Sequence, residues 1–497
     1  MELVQLLDNV TVSEVSGDLN IQVSALHYDS RQVESGDLFF ALPGAVVDGH
    51  DYINAAINNG AMAVVAQHRV EVPPAVTLVI VDDARLAMAR MAAAFYAYPA
   101  RDLLTIGITG TNGKTTMTYL VESLMRQAGY NPVVIGTVSN HLGEEVFAAS
   151  HTTPESLDLQ RMLAEFRQMG ADALIIEVSS HALMQSRICG LNFAVTVFTN
   201  LTPEHLDYHK NMESYFAAKA RLFTDPAVAG SAKAVINSDD PYGAKLLTMI
   251  DGGLSVGSQP CADVYLRDFS QSVDGIEATL ITSMGEVEIS SPLVGRFNME
   301  NLSCAVGVGV VLGLSLTTIE QGLALAHNVP GRLERVENDR DALIVVDYAH
   351  TGDALEKVLQ TLVALRPRRI ITVFGCGGDR DRSKRSVMAA VAARYSQLVI
   401  ITADNPRTED PEKIIADICN GIPSQCDKFH SEEQFKATDK RYIVLDDRAQ
   451  AIEFAVNLLQ SGDLLLVAGK GHEDYQIIGT TRIHFDDREQ ICLALKK

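Results

Sequence analysis

The chain has 497 residues, 47% hydrophobic and 21% charged, enough apolar material for several cores and the wrong balance for a disordered polymer. Its formal net charge of −22 disfavours non-specific binding to nucleic acid or an anionic membrane. Anionic small substrates stay open, because local Lys, Arg and helix N-termini set the field at a site. The seven cysteines (189, 261, 304, 376, 419, 426 and 492) include no C-x-x-C pair, which predicts reduced thiols rather than a disulfide framework or zinc site. The opening Met-Glu-Leu-Val-Gln-Leu-Leu-Asp lacks the basic start and long apolar stretch of a signal peptide, and no apolar run is long enough to span a membrane. A soluble cytoplasmic protein is expected, and the length suggests about three domains.

Residues 1–100 predict a small α/β domain, with short strands at 37–42, 63–66 and 77–81 and an Ala-rich helix over 84–98 that Pro99 stops. From Leu103 strand and helix patterns alternate, with strands at 103–109, 132–138, 173–178, 193–199 and 233–236 and helices at 114–128, 155–169 and 212–223. That alternation predicts a mostly parallel sheet with helices on both faces. Shorter alternating strands over 263–294 suggest an antiparallel appendage, followed by helices at 298–312 and 317–326 and a break at Pro330-Gly331. A third α/β unit starts at Ala342, with strands at 342–347, 369–374, 397–402, 442–445 and 463–467. The expected domains are 1–100, 101–331 and 332–497.

The sequence Leu-Leu-Thr-Ile-Gly-Ile-Thr-Gly-Thr-Asn-Gly-Lys-Thr-Thr over 103–116 runs from an apolar strand into a Gly-rich loop and then a helix. Gly110 and Gly113 let the backbone approach a polyphosphate, whose charge the loop amides and helix N-terminus favour. Lys114 can reach the terminal phosphates, and the Thr115 hydroxyl can sit on magnesium. A strict P-loop has a glycine where Ile108 stands, so this loop is a variant. Glu177, in Glu-Val-Ser-Ser-His after an apolar strand, falls at the sheet edge where ligands collect and could hold magnesium through oxygen; the plainer alternative is a solvated loop residue. His205, Asp207 and His209 follow another strand in Thr-Pro-Glu-His-Leu-Asp-Tyr-His and could serve metal or nucleotide, although the H-E-x-x-H zinc pattern is missing.

In the third unit, the loops 375–380, 404–407 and 469–473 all follow apolar strands and together form a polar pocket. Asp404 and Glu473 could attract an ammonium, and Arg380 and Arg407 could fork onto carboxylates. Read alone, Asn405-Pro406-Arg407 is equally a simple turn.

Taken in order, these segments resemble the Mur ligases, the ATP-dependent amino-acid ligases of peptidoglycan precursor synthesis. The loop Gly110-Thr111-Asn112-Gly113-Lys114-Thr115-Thr116 is similar to their ATP loop, which departs from the strict P-loop in the same way. The resemblance implies that Glu177 and His205 hold magnesium and that Lys219 is a carbamylated lysine positioning a second ion; by itself Lys219 reads as an ordinary helix-surface lysine. It also implies that Asn298 and Asn301 lie near the adenine, that Arg332 contacts phosphate at a domain junction, and that Asp347 holds the ribose. Gly352 stands where the family pattern has Pro.

Tyr28-Asp29-Ser30-Arg31 resembles the uridine-binding domain of the third amino-acid-adding member, which implies contacts to the UDP end of the substrate from Tyr28, Ser30 and Ala45, Val46 and Val47. Thr152, Thr153, Ser179, Gln185 and Arg187 match contacts to a UDP-sugar-dipeptide, with His151 where some relatives carry Asn. Asp404-Asn405-Pro406-Arg407 is similar to the signature of diaminopimelate-adding members, with Arg380, Gly469 and Glu473 completing that pocket. The expected activity is ATP-driven addition of meso-diaminopimelate to the D-Glu γ-carboxylate of UDP-MurNAc-L-Ala-D-Glu through an acyl phosphate, with Mg2+ as cofactor, by a monomer without nucleic-acid partner or membrane span. The alternatives are a lysine-adding or other Mur-type ligase and, less in keeping with the missing N-K-x-D motif, a nucleotide-dependent switch or motor.

Overall fold

Three sheets carry the fold in the computed structural model, which describes residues 1–44, 47–147, 151–272, 275–326, 329–428 and 440–497. The N-terminal sheet has five strands in the order Val12–Ser16, Thr77–Val81, Ala63–Ala66, Leu38–Phe40, Leu26–His27, and only the pairing at the Val12–Ser16 edge is antiparallel. Its apolar strands bury both faces, against Leu3, Met88 and Met91 on one side and Ile53 and Ala56 on the other. The Ala-rich helix runs Ala84–Phe95, capped by the Asp83 carboxylate. Pro99 does not stop it. Ala97 and Tyr98 turn left-handed after the helix has ended, and Pro99 opens a short 3-10 turn, Pro99–Asp102.

The central sheet has eleven strands. Its parallel heart places the phosphate-loop strand Leu104–Thr109 between Ala173–Glu177 and Phe193–Phe198, with Glu177 registered on Ile108 and Phe198 on Thr109. These three strands therefore end at one edge, which is what brings their following loops together. The helix Lys114–Gln127 buries Met117, Leu120, Val121 and Leu124, the apolar positions of its 3.6-residue repeat. The shorter strands expected over 263–294 are found at 264–291, where they extend the central sheet. Val264–Ser272 pairs parallel with Leu254–Gly257, and Gly275–Thr282 and Gly285–Ser291 carry the same sheet to its edge.

The C-terminal sheet has seven strands in the order Glu334–Val336, Leu343–Asp347, Asp463–Ala468, Arg369–Phe374, Leu398–Ile401, Arg441–Val444, Asp427–Lys428, parallel except at the Glu334–Val336 edge. A hairpin, Tyr475–Ile478 with Thr481–His484, stands beside it. Gly352 begins the helix Gly352–Ala364, where a Cβ would come within 2.6 Å of Val387 Cγ1, so close packing is served by the glycine found there. By contacts the chain forms two compact units, the first made of Met1–Arg267, Leu280–Val287 and Glu300–Leu323, the second of Asp268–Thr279, Glu288–Met299 and Ala324–Lys497. All seven cysteines are free thiols. Among the described residues no helix is long and apolar enough to cross a membrane.

Candidate active site in two units

The loop of the first unit is shaped by its neighbours. Thr111 N donates to Asn200 O at 2.8 Å, Asn112 N to Asn200 Oδ1 at 2.9 Å, and Thr199 Oγ1 to Asn112 O at 2.6 Å. Gly110 has φ +150°, and a Cβ there would lie 2.0 Å from Thr199 Oγ1. At Gly113, with φ +85°, a Cβ would meet Asn301 Oδ1 at 2.5 Å. Both glycines are thus demanded by conformation and by space. Ile108, at the position of the strict-pattern glycine, is a fully buried strand residue, so the tight turn begins later than in a strict P-loop. Replacing Gly110 with alanine should cost about 1–3 kcal/mol in backbone strain and distort the cradle. We expect the KM for ATP to rise at least about tenfold (~1.4 kcal/mol); an ATP titration giving the wild-type value would refute this account of the loop.

Two lysines converge on this loop. Lys114 Nζ donates to Gly110 O at 3.0 Å and Thr111 O at 2.8 Å, and Lys219 Nζ donates to the same Gly110 O at 2.7 Å. Lys219 comes from the helix Met212–Thr224 and is 2% exposed, so it is no helix-surface residue. Burial, and then the nearby Lys114 cation, push its pKa well below the ordinary lysine range. Thr115 and Thr116 are buried in the first helical turn, and Thr111 Oγ1 meets Tyr215 Oη at 3.2 Å.

Glu177 is 1% exposed, not a solvated loop residue. Its carboxylate accepts from Thr137 N and Thr137 Oγ1, both at 3.0 Å, and Thr137 Oγ1 is 3.0 Å from Thr152 Oγ1. Thr153 Oγ1 donates to Glu177 O at 2.8 Å and accepts from Ser179 N at 3.1 Å. His205 stands apart from this polar chain. It is exposed, has φ 55° and packs edge-on to His181, with ring centroids 5.1 Å apart. His209 Nε2 meets Ser180 Oγ at 2.8 Å. Among the described residues no three His, Cys, Asp or Glu side chains form a metal-binding cluster. The oxygens of Thr115 and Glu177 suit a hard dication, and a carbamate on Lys219 would add more oxygen.

At the N-terminal sheet, Tyr28 Oη donates to Asp158 Oδ2 at 2.5 Å; burial first, and then this carboxylate, raise the phenol pKa. Ser30 is buried and its carbonyl accepts from Asn59. Ala45 and Val46 lie outside the described residues, Val47 is exposed and so is His151. Arg187 donates to Thr153 O and to Gln185 Oε1, both at 2.8 Å, and pairs with Glu155 at 2.8 Å. Arg85 holds the same Glu155 through both carboxylate oxygens. Asn301 belongs to this unit, at Gly113.

The second unit contains the other predicted residues. Asn298 is buried and donates to Val294 O at 2.8 Å. Asp347 accepts Leu333 N at 2.8 Å and Ala349 N at 2.7 Å, while burial raises its pKa against the opposing pull of Arg332. The Arg332 guanidinium lies 4.9 Å from the centre of the Tyr348 ring. Arg407 is half-buried, left-handed at φ 52°, and its Nη1 donates to Gly378 O at 2.9 Å. The hairpin holds this backbone, with Arg407 N donating to Ile477 O at 3.1 Å and Gly479 N to Arg407 O at 2.8 Å. Pro406 is buried, Gly469 has φ +114°, and Arg380 is exposed.

One expectation changes here. Asp404 and Glu473 do not face the pocket as a bare pair, because Lys470, 0% exposed, lies between them, 3.5 Å from Asp404 Oδ1 and 3.4 Å from Glu473 Oε2. Burial, and then the Asp404 charge, raise the pKa of Glu473. No motif assigns Lys470 a role although the Gly-Lys-Gly-His-Glu loop contains it; its only local signal is its place two residues after the apolar run 464–468. Gln476, whose Nε2 donates to Asp404 O at 2.6 Å, was missed for want of any motif.

A strand, a glycine-shaped loop and a convergent pair of lysines are the parts of a nucleotide-binding protein. Comparison with known proteins makes the class specific: the chain matches the Mur ligase family catalytic domain over residues 22–96, the Mur ligase middle domain over 108–309 and the Mur ligase glutamate ligase domain over 331–471. It is 51% identical to UDP-N-acetylmuramoyl-L-alanyl-D-glutamate--2,6-diaminopimelate ligase of Geobacter metallireducens, over 100% of this chain and 99% of that one. The protein of the same name from Gloeobacter violaceus is 46% identical over 96% and 95%. A solved structure of a ligase of that name superposes with a TM-score of 0.72 at 34% identity, covering 100% of this chain and 99% of the other. The chain belongs to the Mur ligase family, whose enzymes form amide bonds at the expense of ATP.

Proposed function

We propose that this enzyme joins meso-diaminopimelate to the D-Glu γ-carboxylate of UDP-MurNAc-L-Ala-D-Glu. The observation that carries the choice of amino acid is the pocket of the second unit, where Asn405 Nδ2 donates to Glu473 Oε2 at 2.9 Å beside the hairpin-held Arg407. An amino acid with both an ammonium and a carboxylate at its far end would offer one group to Glu473 and the other to Arg407. Residues 1–100 would take the UDP end, 101–331 ATP, and 332–497 the amino acid.

A free carboxylate resists an amine because its oxygen is a poor leaving group. The γ-carboxylate oxygen would attack the γ-phosphorus of ATP, releasing ADP and leaving an acyl phosphate. The amine would then attack the acyl carbon, expelling phosphate and losing a proton as the amide forms. Lys114 would leave the loop carbonyls to offset charge on the transferring phosphoryl group. Arg187, Thr152, Thr153 and Ser179 would hold the substrate, with Tyr28, Ser30 and residues 45–47 at the uridine end. Asn298, Asn301, Arg332 and Asp347 would hold the nucleotide. Thr115, Glu177, His205 and a carbamylated Lys219 would hold magnesium, which would lower the charge repulsion between the two anions.

The test is ADP release with UDP-MurNAc-L-Ala-D-Glu and a panel of amino acids. Release should depend on meso-diaminopimelate and exceed that with lysine at matched concentration. Faster release with lysine would favour the lysine-adding alternative, and release without any amino acid would favour a switch or motor.

A further inference from the structure

Lys470 follows the strand Asp463–Ala468 and is withdrawn completely from solvent. Its Nζ has three acceptors, Asp404 Oδ1 at 3.5 Å, Asn405 Oδ1 at 3.4 Å and Glu473 Oε2 at 3.4 Å. These distances exceed the 2.7–2.9 Å or so of a tight ionic hydrogen bond, so the ammonium is shared across the cluster rather than clamped to one carboxylate. Of the other cations around the cluster, Lys384 lies within electrostatic reach of Asp404 and Arg407 donates to Gly378 O. Arg448, fully buried, donates at 2.7 Å to each oxygen of Asp487. Tyr348 and Tyr475, which also face Glu473, have phenols held protonated by burial. Within the group that Lys470 itself touches, two carboxylates and one ammonium leave a single negative charge.

Resting on the reading of this cluster as the amino-acid pocket, we propose that Lys470 is a positioning residue that sets the pocket's charge, cancelling one of two carboxylates so that Glu473 stays ionised to receive one substrate ammonium. Without that cation, two buried carboxylates would repel, and the cheaper state is the one in which Glu473 keeps a proton. A protonated Glu473 must lose that proton before it can hold an ammonium. The consequence is a binding step that acquires a pH dependence.

The experiment compares wild type, K470Q and K470R, measuring the KM for meso-diaminopimelate against pH by ADP release. The wild-type KM should be flat near neutrality. In K470Q it should be raised at least about tenfold at neutral pH and fall by about tenfold per pH unit as the pH rises, the slope of one competing proton. K470R, which restores the cation, should stay within a few-fold of wild type, and the KM for ATP should be unchanged in both. A pH-independent rise of the same size in both variants would mean that Lys470 only packs, and a wild-type profile in K470Q would also overturn the proposal. If K470Q does not fold, neutralising one carboxylate as well, in D404N/K470Q, should restore the wild-type melting temperature to within a few degrees; a double variant as unstable as the single one overturns the charge account. Wild-type enzyme that ignores every diamino acid would refute the amino-acid reading, whereas a normal wild type with a flat K470Q profile refutes only the role of Lys470.

Discussion

Lys219→Arg is expected to lower kcat on the order of 10² to 10³-fold, the usual penalty for removing one electrostatic contributor to a transition state, with the KM for ATP changed only a few-fold. Arginine keeps a cation beside the Gly110 carbonyl, so a charge-only role would survive the exchange. A guanidinium, however, stays protonated and cannot take up CO2. Lysine can, because its burial and the adjacent Lys114 favour the neutral amine. The amine nitrogen bonds to the carbon of CO2 and releases a proton, giving a carbamate whose oxygens suit magnesium. Two further results should accompany the kinetic loss. Wild-type activity should fall when bicarbonate is removed at lowered pH and return when it is restored, and Lys219→Ala should regain part of its activity with a small added carboxylate. A fully active Lys219→Arg variant would sink the carbamate.

Arg407→Ala should raise the KM for meso-diaminopimelate by roughly 10² to 10⁴-fold while sparing that for ATP. Each charge-assisted hydrogen bond from the guanidinium contributes about 1.5–3 kcal/mol, so a two-pronged contact to a carboxylate approaches 3–6 kcal/mol. The half-buried setting of Arg407 puts the result towards the lower end, because solvent screens part of the gain. Lysine as substrate, which offers no second carboxylate, should be little affected by the same substitution. A loss common to both amino acids would instead trace to collapse of the hairpin that holds the Arg407 backbone.

What the sequence made legible is what is local. The strands at 63–66, 77–81 and 369–374 are found at those bounds because buried parallel strands read as unbroken apolar runs. The phosphate loop was legible for the same reason, its glycines and lysine being adjacent in the chain. That the strands of 264–291 join the central sheet was not legible, because alternation reports one exposed face and says nothing about which sheet a strand joins. The polar contacts that were missed span long separations: Lys470 lies 66 residues from Asp404, Tyr28 130 from Asp158, and Lys219 109 from Gly110. Nothing in the local pattern at Lys219 distinguishes a helix-surface lysine from one driven under a phosphate loop. The Mur ligase resemblance singled it out, and its burial supplies a physical reason.

The bracing of residues 110–113 by Thr199 and Asn200 also bears on how quickly and how tightly a nucleotide can be captured. Fixing a backbone residue from a disordered loop costs roughly 1–2 kcal/mol, or about 4–8 kcal/mol for this four-residue turn. Here that ordering is completed when the chain folds, so it is not subtracted from the free energy of association. The difference corresponds to roughly three to six decades in dissociation constant. Capture should then be limited by diffusion and by rotation of the Lys114 side chain rather than by loop formation. Loosening Thr199 or Asn200, neither of which needs to touch the nucleotide, would reintroduce the ordering cost and appear as slower association.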